Sequence, residues 1–266
     1  MRHTTTIRRW ILDPADPVRA RALATSCALP DVVGQLLLNR SIAEPEAVQA
    51  FLHPSLDALH DPYAFREMRR AVDRIRRAVS DREKIAVWGD FDVDGTVATT
   101  IVVQLLRLLG ADVEPIIPRR LAEGYGLHAR RLEALASSGV RLLITVDNGI
   151  TAVDEVAVAN DLGLDVIVTD HHEPGPTLPA AAAILNPKVP GCTYPEATLC
   201  GAGVAFKLCW ALAQSFQGER HFGQDFGWYL ETTLGLVAVA TISDVVPLVG
   251  ENRTFAAYGL RVLPRC

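Results

Sequence analysis

An α/β fold is what the sequence predicts: a doubly wound, mainly parallel sheet flanked by helices, with a helical N-terminal extension. Three observations predict it. Short apolar runs of strand length recur at 85–88, 113–117, 142–146 and 165–169. Each ends in a polar or glycine-bearing turn, and an apolar pattern of helical period follows. The connections between them are short, as in consecutive strand–helix–strand units.

In chain order, residues 1–80 read as helical and peripheral, with short helices at Asp31–Asn39 and at Pro45–Leu52, where Pro45 suits a helix start. Arg66–Val79 predicts an amphipathic helix with Met68, Ala71, Val72, Ile75 and Val79 on one side. Arg66, Arg69, Arg70, Arg74, Arg76 and Arg77 form its opposite, basic face, read as either solvated or set against a phosphate backbone. Residues 81–266 form the main domain. Its first strand leads into a helix carrying Val97, Ile101, Val102, Leu105, Leu106 and Leu109, closed by Gly110. A second strand ends at Pro118-Arg119-Arg120, before a loop with Gly124-Tyr125-Gly126 and a helix at His128–Ser138. Tyr125 would either stack on a base or anchor its own loop. The third strand, LLITV, ends in Asp147-Asn148-Gly149, after which Thr151 is expected to cap a helix to Leu162. The fourth, DVIVT, ends in Asp170-His171-His172-Glu173, and a further strand is expected at Ala182–Leu185. Cys200-Gly201-Ala202-Gly203 opens a helix with Lys207 one turn in, which reads as an anion site or as close packing permitted by small residues. Phe226–Ile242 is an apolar helix, followed by the solitary Asp244 and a closing helix from Glu251.

The 266 residues, 49% hydrophobic and 21% charged, describe a globular chain large enough for a sizeable core. A net charge of -5 gives no global basic field, although local grooves can still be basic. The five cysteines, Cys27, Cys192, Cys200, Cys209 and Cys266, form no C-x-x-C pair, and no signal peptide is visible. Reduced thiols and a cytoplasmic location are therefore the expectation, and no apolar run reaches membrane-spanning length.

The chemistry is concentrated in IAVWGDFDVDGTVA, residues 85–98, where Asp90, Asp92 and Asp94 alternate between two glycines at the end of a strand. Three carboxylates so close would repel one another in a partly dry crevice, and a hard divalent cation is the simplest remedy. Asp92 and Asp94, Asp147, and Asp170-His171-His172 all follow the C-terminal ends of predicted strands, which line one crevice in an open parallel sheet. Asp244 is the expected last ligand.

The stretches GDFDVDG, VDNG at Asp147 and TDHH at Asp170–His172 resemble the ordered motifs of the DHH phosphoesterase superfamily. Within it, RRLAEGYGLH from Arg119, ILNPKVPGC from Ile184, CGAGVAFKL from Cys200 and ATISDVVPLVGENR from Ala240 resemble the N-terminal part of the RecJ-like single-strand-specific exonucleases. The resemblance covers nearly the whole chain. It implies that Asp92, Asp94, Asp147, His171 and Asp244 bind two divalent cations, manganese or magnesium, with Asp90 at the edge of the cluster or within it. It implies that His172 faces the scissile phosphate and that Asp170 orients the histidine pair. Some members carry a liganding histidine four residues before the first such aspartate, where this chain has Trp88. Arg119, Arg120, Lys207 and Arg253 are candidates for holding phosphates, with Tyr125, Gly201 and Gly203 beside the strand.

The implied activity is metal-dependent 5′-to-3′ hydrolysis of single-stranded DNA to mononucleotides, in DNA repair and recombination. The implied partners are single-stranded DNA, a single-strand-binding protein and a helicase. RecJ-like enzymes also carry a DHHA1 domain and an OB-like domain, and the chain is expected to end before both. Two rival readings are a phosphoesterase of small molecules or short oligonucleotides, and a DNA-binding scaffold without catalysis.

Overall fold

The computed structural model describes residues 13–216 and 224–265. Two compact units meet between Ser55 and Leu56. The first contains α1 (Pro17–Ser26), α2 (Asp31–Leu38) and α3 (Pro45–Leu52), built around Leu23, Leu37, Ile42 and Val48. α1 is opened by Asp16, whose carboxylate accepts the Arg19 amide, and by Pro17.

The second unit begins well before residue 80, where the sequence places the boundary. Helix α4 (Met68–Ser80) buries Met68, Ala71, Val72 and Ile75 in the same core as the central strands, so it belongs with the sheet. Nor is Arg74 on a solvated face. It is buried and bridges Glu83 and Asp165 at 2.6 and 2.5 Å, tying α4 to the start of a strand. Arg76 donates to the Ser215 carbonyl and stacks on Phe216.

Five strands follow: β1 (Lys84–Trp88), β2 (Val113–Ile116), β3 (Val140–Val146), β4 (Asp165–Thr169) and β5 (Ala183–Leu185). They pair in the order β2-β1-β3-β4-β5, every pair parallel. The connecting helices are α5 (Val93–Leu108), α6 (Ala129–Ser137) and α7 (Val153–Asp161), while residues 170–182 pass from β4 to β5 without a helix. α8 (Gly201–Ser215), α9 (Gln224–Ser243) and α10 (Gly250–Val262) complete the unit. The N-cap of α7 is Ala152, not Thr151, and no side chain caps that end.

Alternation along the strands sorts side chains into two cores. Ile85, Val87, Leu142, Ile144 and Ile167 join α4, α5 and α8 on one face, and Ala86, Trp88, Leu143, Val166 and Val168 join α6 and α7 on the other. Trp88 pairs with Ile116 and Thr145, Val146 with Thr169, and Thr169 with Leu185. Asp90, Asp147, Asp170 and Asn186 consequently leave the sheet along one edge. The strand order reverses between β1 and β3, so the crevice of a doubly wound sheet opens there.

Candidate metal centre

Asp92 caps α5, its Oδ1 accepting the Gly95 amide at 2.9 Å. Gly95 is required by contact: a Cβ there would lie 2.5 Å from the Asp90 nitrogen and 2.6 Å from its Cβ. The first turn of α5 thus rests directly on Asp90 and presents Asp94 inward, where it is buried. The Asp94 carboxylate meets the start of α8, accepting the Gly201 amide at 2.6 Å and the Ala202 amide at 2.8 Å.

Asp147 occupies a left-handed conformation (φ 61°), uncommon for a residue with a side chain. The turn around it is pinned by Thr145, whose hydroxyl donates to the Asn148 carbonyl, and by the Asn148 amide, which donates to the carbonyls of Val146 and Trp88. Asn148 thereby stitches the end of β3 to the end of β1. After β4, Asp170 Oδ1 accepts the backbone amides of His171 and His172 at 2.7 and 3.1 Å and lies 2.7 Å from His172 Nδ1. Its Oδ2 accepts the Ile150 amide at 2.9 Å. Asp244 follows α9 directly.

These segments converge. His171 Nε2 lies 3.1 Å from Asp147 Oδ1, 3.7 Å from Asp94 Oδ2 and 3.8 Å from Asp244 Oδ2. Among the described residues, three groups have ligand atoms within 4.8 Å of one another: Asp94, His171 and Asp244; Asp90, Asp92 and Asp147; and Asp147, His171 and His172. Asp147 Oδ1 is buried and, despite the nearby imidazole, accepts no hydrogen bond from the described residues. Burial, then the charges of Asp94 and Asp92, push the Asp147 carboxyl up to about 10. Burial also raises Asp90, Asp94 and Asp244 and lowers His171. The hydrogen bond that His172 donates to Asp170 lifts the imidazole to about 9. Burial would raise Asp170, yet its bonds and charge interaction with His172 and the backbone amides bring it below the ordinary carboxylate range.

Tyr125 stands over this cluster, its hydroxyl 3.4 Å from the Asp147 carbonyl and 3.5 Å from His172 Nδ1. Arg120 is exposed, its guanidinium 5.3 Å from the Phe91 ring centroid, and Arg119 is exposed in the same loop. Trp88 turns its indole into the apolar layer with Leu127 and Leu132, where it offers no ligand. Arg253 is half-buried in the first turn of α10.

Two expectations need correction. Lys207 does not face a phosphate. It is fully buried, 2.6 Å from Glu251, and donates to the His60 carbonyl. The N-terminus of α8 is an anion site, but the anion is the Asp94 carboxylate. Gly201 is forced by Asp147, whose side chain would lie 2.5–2.7 Å from a Cβ there; the atoms nearest a Cβ at Gly203 belong to Leu199 and Cys200, at 3.4 Å or more. Asn148 and Asn186 have structural roles that sequence reasoning missed. Asn186 is buried and donates to the His172 carbonyl at 2.9 Å. The available signal was position, since both directly follow a strand run or the aspartate that ends one.

Residues 84–241 match the DHH family, N-terminal domain. The single-stranded-DNA-specific exonuclease RecJ of Bacillus subtilis (strain 168) is 42% identical over 257 residues, which are 97% of this chain and 31% of that protein. Among solved structures, RecJ from Thermus thermophilus in complex with Mn2+ superposes with a TM-score of 0.74 at 31% identity, covering 96% of this chain and 34% of that one. Its complex with Mg2+ gives 0.59 at 27%, covering 96% and 31%. The chain thus spans about a third of the length of these relatives. With the family's model matched across the sheet and its ligand-bearing edge, the chain belongs to the DHH family.

Proposed function

We propose that this chain is the catalytic part of a metal-dependent exonuclease that hydrolyses single-stranded DNA from the 5′ end to mononucleotides. The observation that carries the reading is the convergence of Asp94, Asp147, His171 and Asp244, from four separate segments, on one buried point. Asp147 Oδ1, buried and without a hydrogen bond, is an acceptor open to a cation. Carboxylate oxygens with a single imidazole are a donor set suited to manganese or magnesium, and the Thermus relative is known with each.

In this reading Asp94, His171 and Asp244 would hold one ion and Asp90, Asp92 and Asp147 a second. Bound there, the ions would act as Lewis acids that lower the pKa of a bound water and neutralise phosphoryl charge. His172, whose Nδ1 is hydrogen-bonded to Asp170 and whose pKa that bond raises, contributes a donor for a phosphate oxygen. Tyr125 and Arg120 line the approach, where a base can stack and a phosphate can be held. A single-strand-binding protein and a helicase would be the partners that present such strands, within DNA repair and recombination.

The test is hydrolysis of 5′- and 3′-labelled single strands with manganese, beside Asp147→Ala. Release of mononucleotides from the 5′ end, abolished in the variant, is the expected result. Undiminished activity of Asp147→Ala, or a preference for dinucleotides over long strands, would overturn it.

A further inference from the structure

Beside the carboxylate edge stands a cation that neither the metal cluster nor the Tyr125 loop accounts for. Lys188 follows β5 by three residues, and its backbone amide donates to Asn186 Oδ1 at 2.8 Å. The other end of the same amide side chain donates to the His172 carbonyl at 2.9 Å. Asn186 is fully buried, with both ends of its amide used, so it fixes the backbone of Lys188 relative to that of His172. The Lys188 side chain is 28% exposed, and its ammonium pairs at 3.2 Å with Glu173, whose side chain is 79% exposed. Glu173 is the residue directly after His172. The ammonium therefore lies at the rim of the centre, against the residue that follows the His171-His172 turn.

The geometry points to Lys188 as a phosphate-holding subsite beside the metal centre, with Glu173 as the internal anion that a substrate phosphate displaces. The inference rests on the nuclease reading above. An ion pair in which one partner is largely exposed contributes little. Exchange of Glu173 for a phosphate is therefore inexpensive, whereas a buried pair such as Lys207 with Glu251 has no such freedom. A lysine suits the role because its ammonium is a compact charge on a flexible stem, able to turn from carboxylate to phosphate without moving the backbone that Asn186 holds.

The experiment compares the unsubstituted chain with Lys188→Ala, Lys188→Arg, Glu173→Gln and the double variant Lys188→Ala/Glu173→Gln. Two readouts are taken in manganese: steady-state hydrolysis of a single-stranded oligothymidylate, and anisotropy of the same strand carrying a fluorophore. Lys188→Ala should lower kcat/KM and strand affinity by about tenfold or more, the range for a lost charge-assisted hydrogen bond. Lys188→Arg should recover most of that loss. Glu173→Gln should tighten the strand and lower KM two- to threefold, with no such effect once Lys188 is alanine. Calorimetric manganese binding should stay the same in all five proteins, separating a phosphate contact from damage to the centre. A Lys188→Ala value within twofold of the parent, or a Glu173→Gln gain that persists without Lys188, overturns the proposal. If the parent chain hydrolyses no strand, the nuclease reading fails and the anisotropy series alone decides the subsite by the same criteria.

Discussion

The amide of Gly201 donates to Asp94 Oδ2 at 2.6 Å, which makes the start of α8 part of the frame of the candidate metal centre. An aspartate from the first turn of one helix is held by the first turn of another, where the helix dipole favours negative charge. The same glycine touches the other side of the cluster, because a Cβ on it would lie 2.5 Å from Asp147 Oδ1 and 2.6 Å from Asp147 Cβ. Gly201→Ala must therefore displace Asp147. We expect manganese affinity, read by calorimetry, to fall by roughly tenfold or more, as for other disturbances of groups that orient ligands. Gly203→Ala is the control. Its nearest contact would be an ordinary 3.4 Å to Leu199, and alanine favours the helix by about 1 kcal/mol. Equal damage from both variants would refute the account.

Asp147 predicts a pH dependence that metal removes. Its carboxyl is held up to about 10 from an ordinary 3.8 by burial and by Asp94 and Asp92. A group raised in the folded state contributes stability that is complete below the unfolded value and is lost as pH rises through the folded one. In EDTA, Tm should fall progressively between about pH 4 and pH 10. Asp147→Asn, which cannot ionise, should flatten that slope. Manganese should stabilise the parent above neutral pH and do so far less in the variant. An unchanged slope in Asp147→Asn would count against the burial of this charge.

Much of the fold was legible because each strand carries its own signal. KIAVW, VRLLITV and DVIVT are short, β-rich and bounded by turns, and their ends place Asp90, Asp147 and Asp170 on one edge. The convergence of Asp94, Asp147 and His171 was legible for the same reason. What failed depended on distant partners. Lys207 after a glycine-rich helix start looks like a phosphate ligand until Glu251, 44 residues away, is seen to claim it. Arg74 looks like one arginine among six until Asp165, 91 residues away, pulls it under the sheet. The α8 N-terminus reads as an anion site or as close packing by small residues; the anion there is Asp94, 107 residues upstream, and Gly201 packs against Asp147. Local pattern fixes elements and their ends, whereas long-range pairing decides which charges remain for a ligand.

His172 and Asp170 support the fold in a defined window. Hydrogen bonding to Asp170 raises His172 from 6.5 to about 9, so that contribution is complete below about pH 6.5 and lost as pH rises through about 9. Asp170 is lowered, so its contribution is present above about 3.8 and lost as pH falls through its depressed value. The pair's contribution is complete between roughly pH 4 and pH 6.5 and declines as pH rises through about 9. In EDTA, His172→Ala should lower Tm most near pH 5–6 and converge on the parent above about pH 9. A gap that persists undiminished at pH 10 would mean that the imidazole acts by packing alone.

Lys207 offers the sharpest separation of a structural from a substrate-binding cation. Its ammonium is buried against Glu251, with the rings of Trp210, Tyr194 and Phe255 around it at 4.6–5.9 Å. Glu251 also accepts the Tyr194 hydroxyl and the His60 amide, which joins the 56–67 connector to α8 and α10. Lys207→Met leaves that carboxylate buried without its countercharge, a change that costs about 3–5 kcal/mol in comparable pairs. Denaturant unfolding should show a loss of that order. Adding Glu251→Gln should recover part of it, because the uncompensated charge is then gone while the amide can still bond Tyr194 and His60. At a temperature where the variants remain folded, strand affinity should be close to that of the parent. The opposite pattern, intact stability with a tenfold loss of strand binding, would restore Lys207 to the phosphate-binding role and contradict its burial.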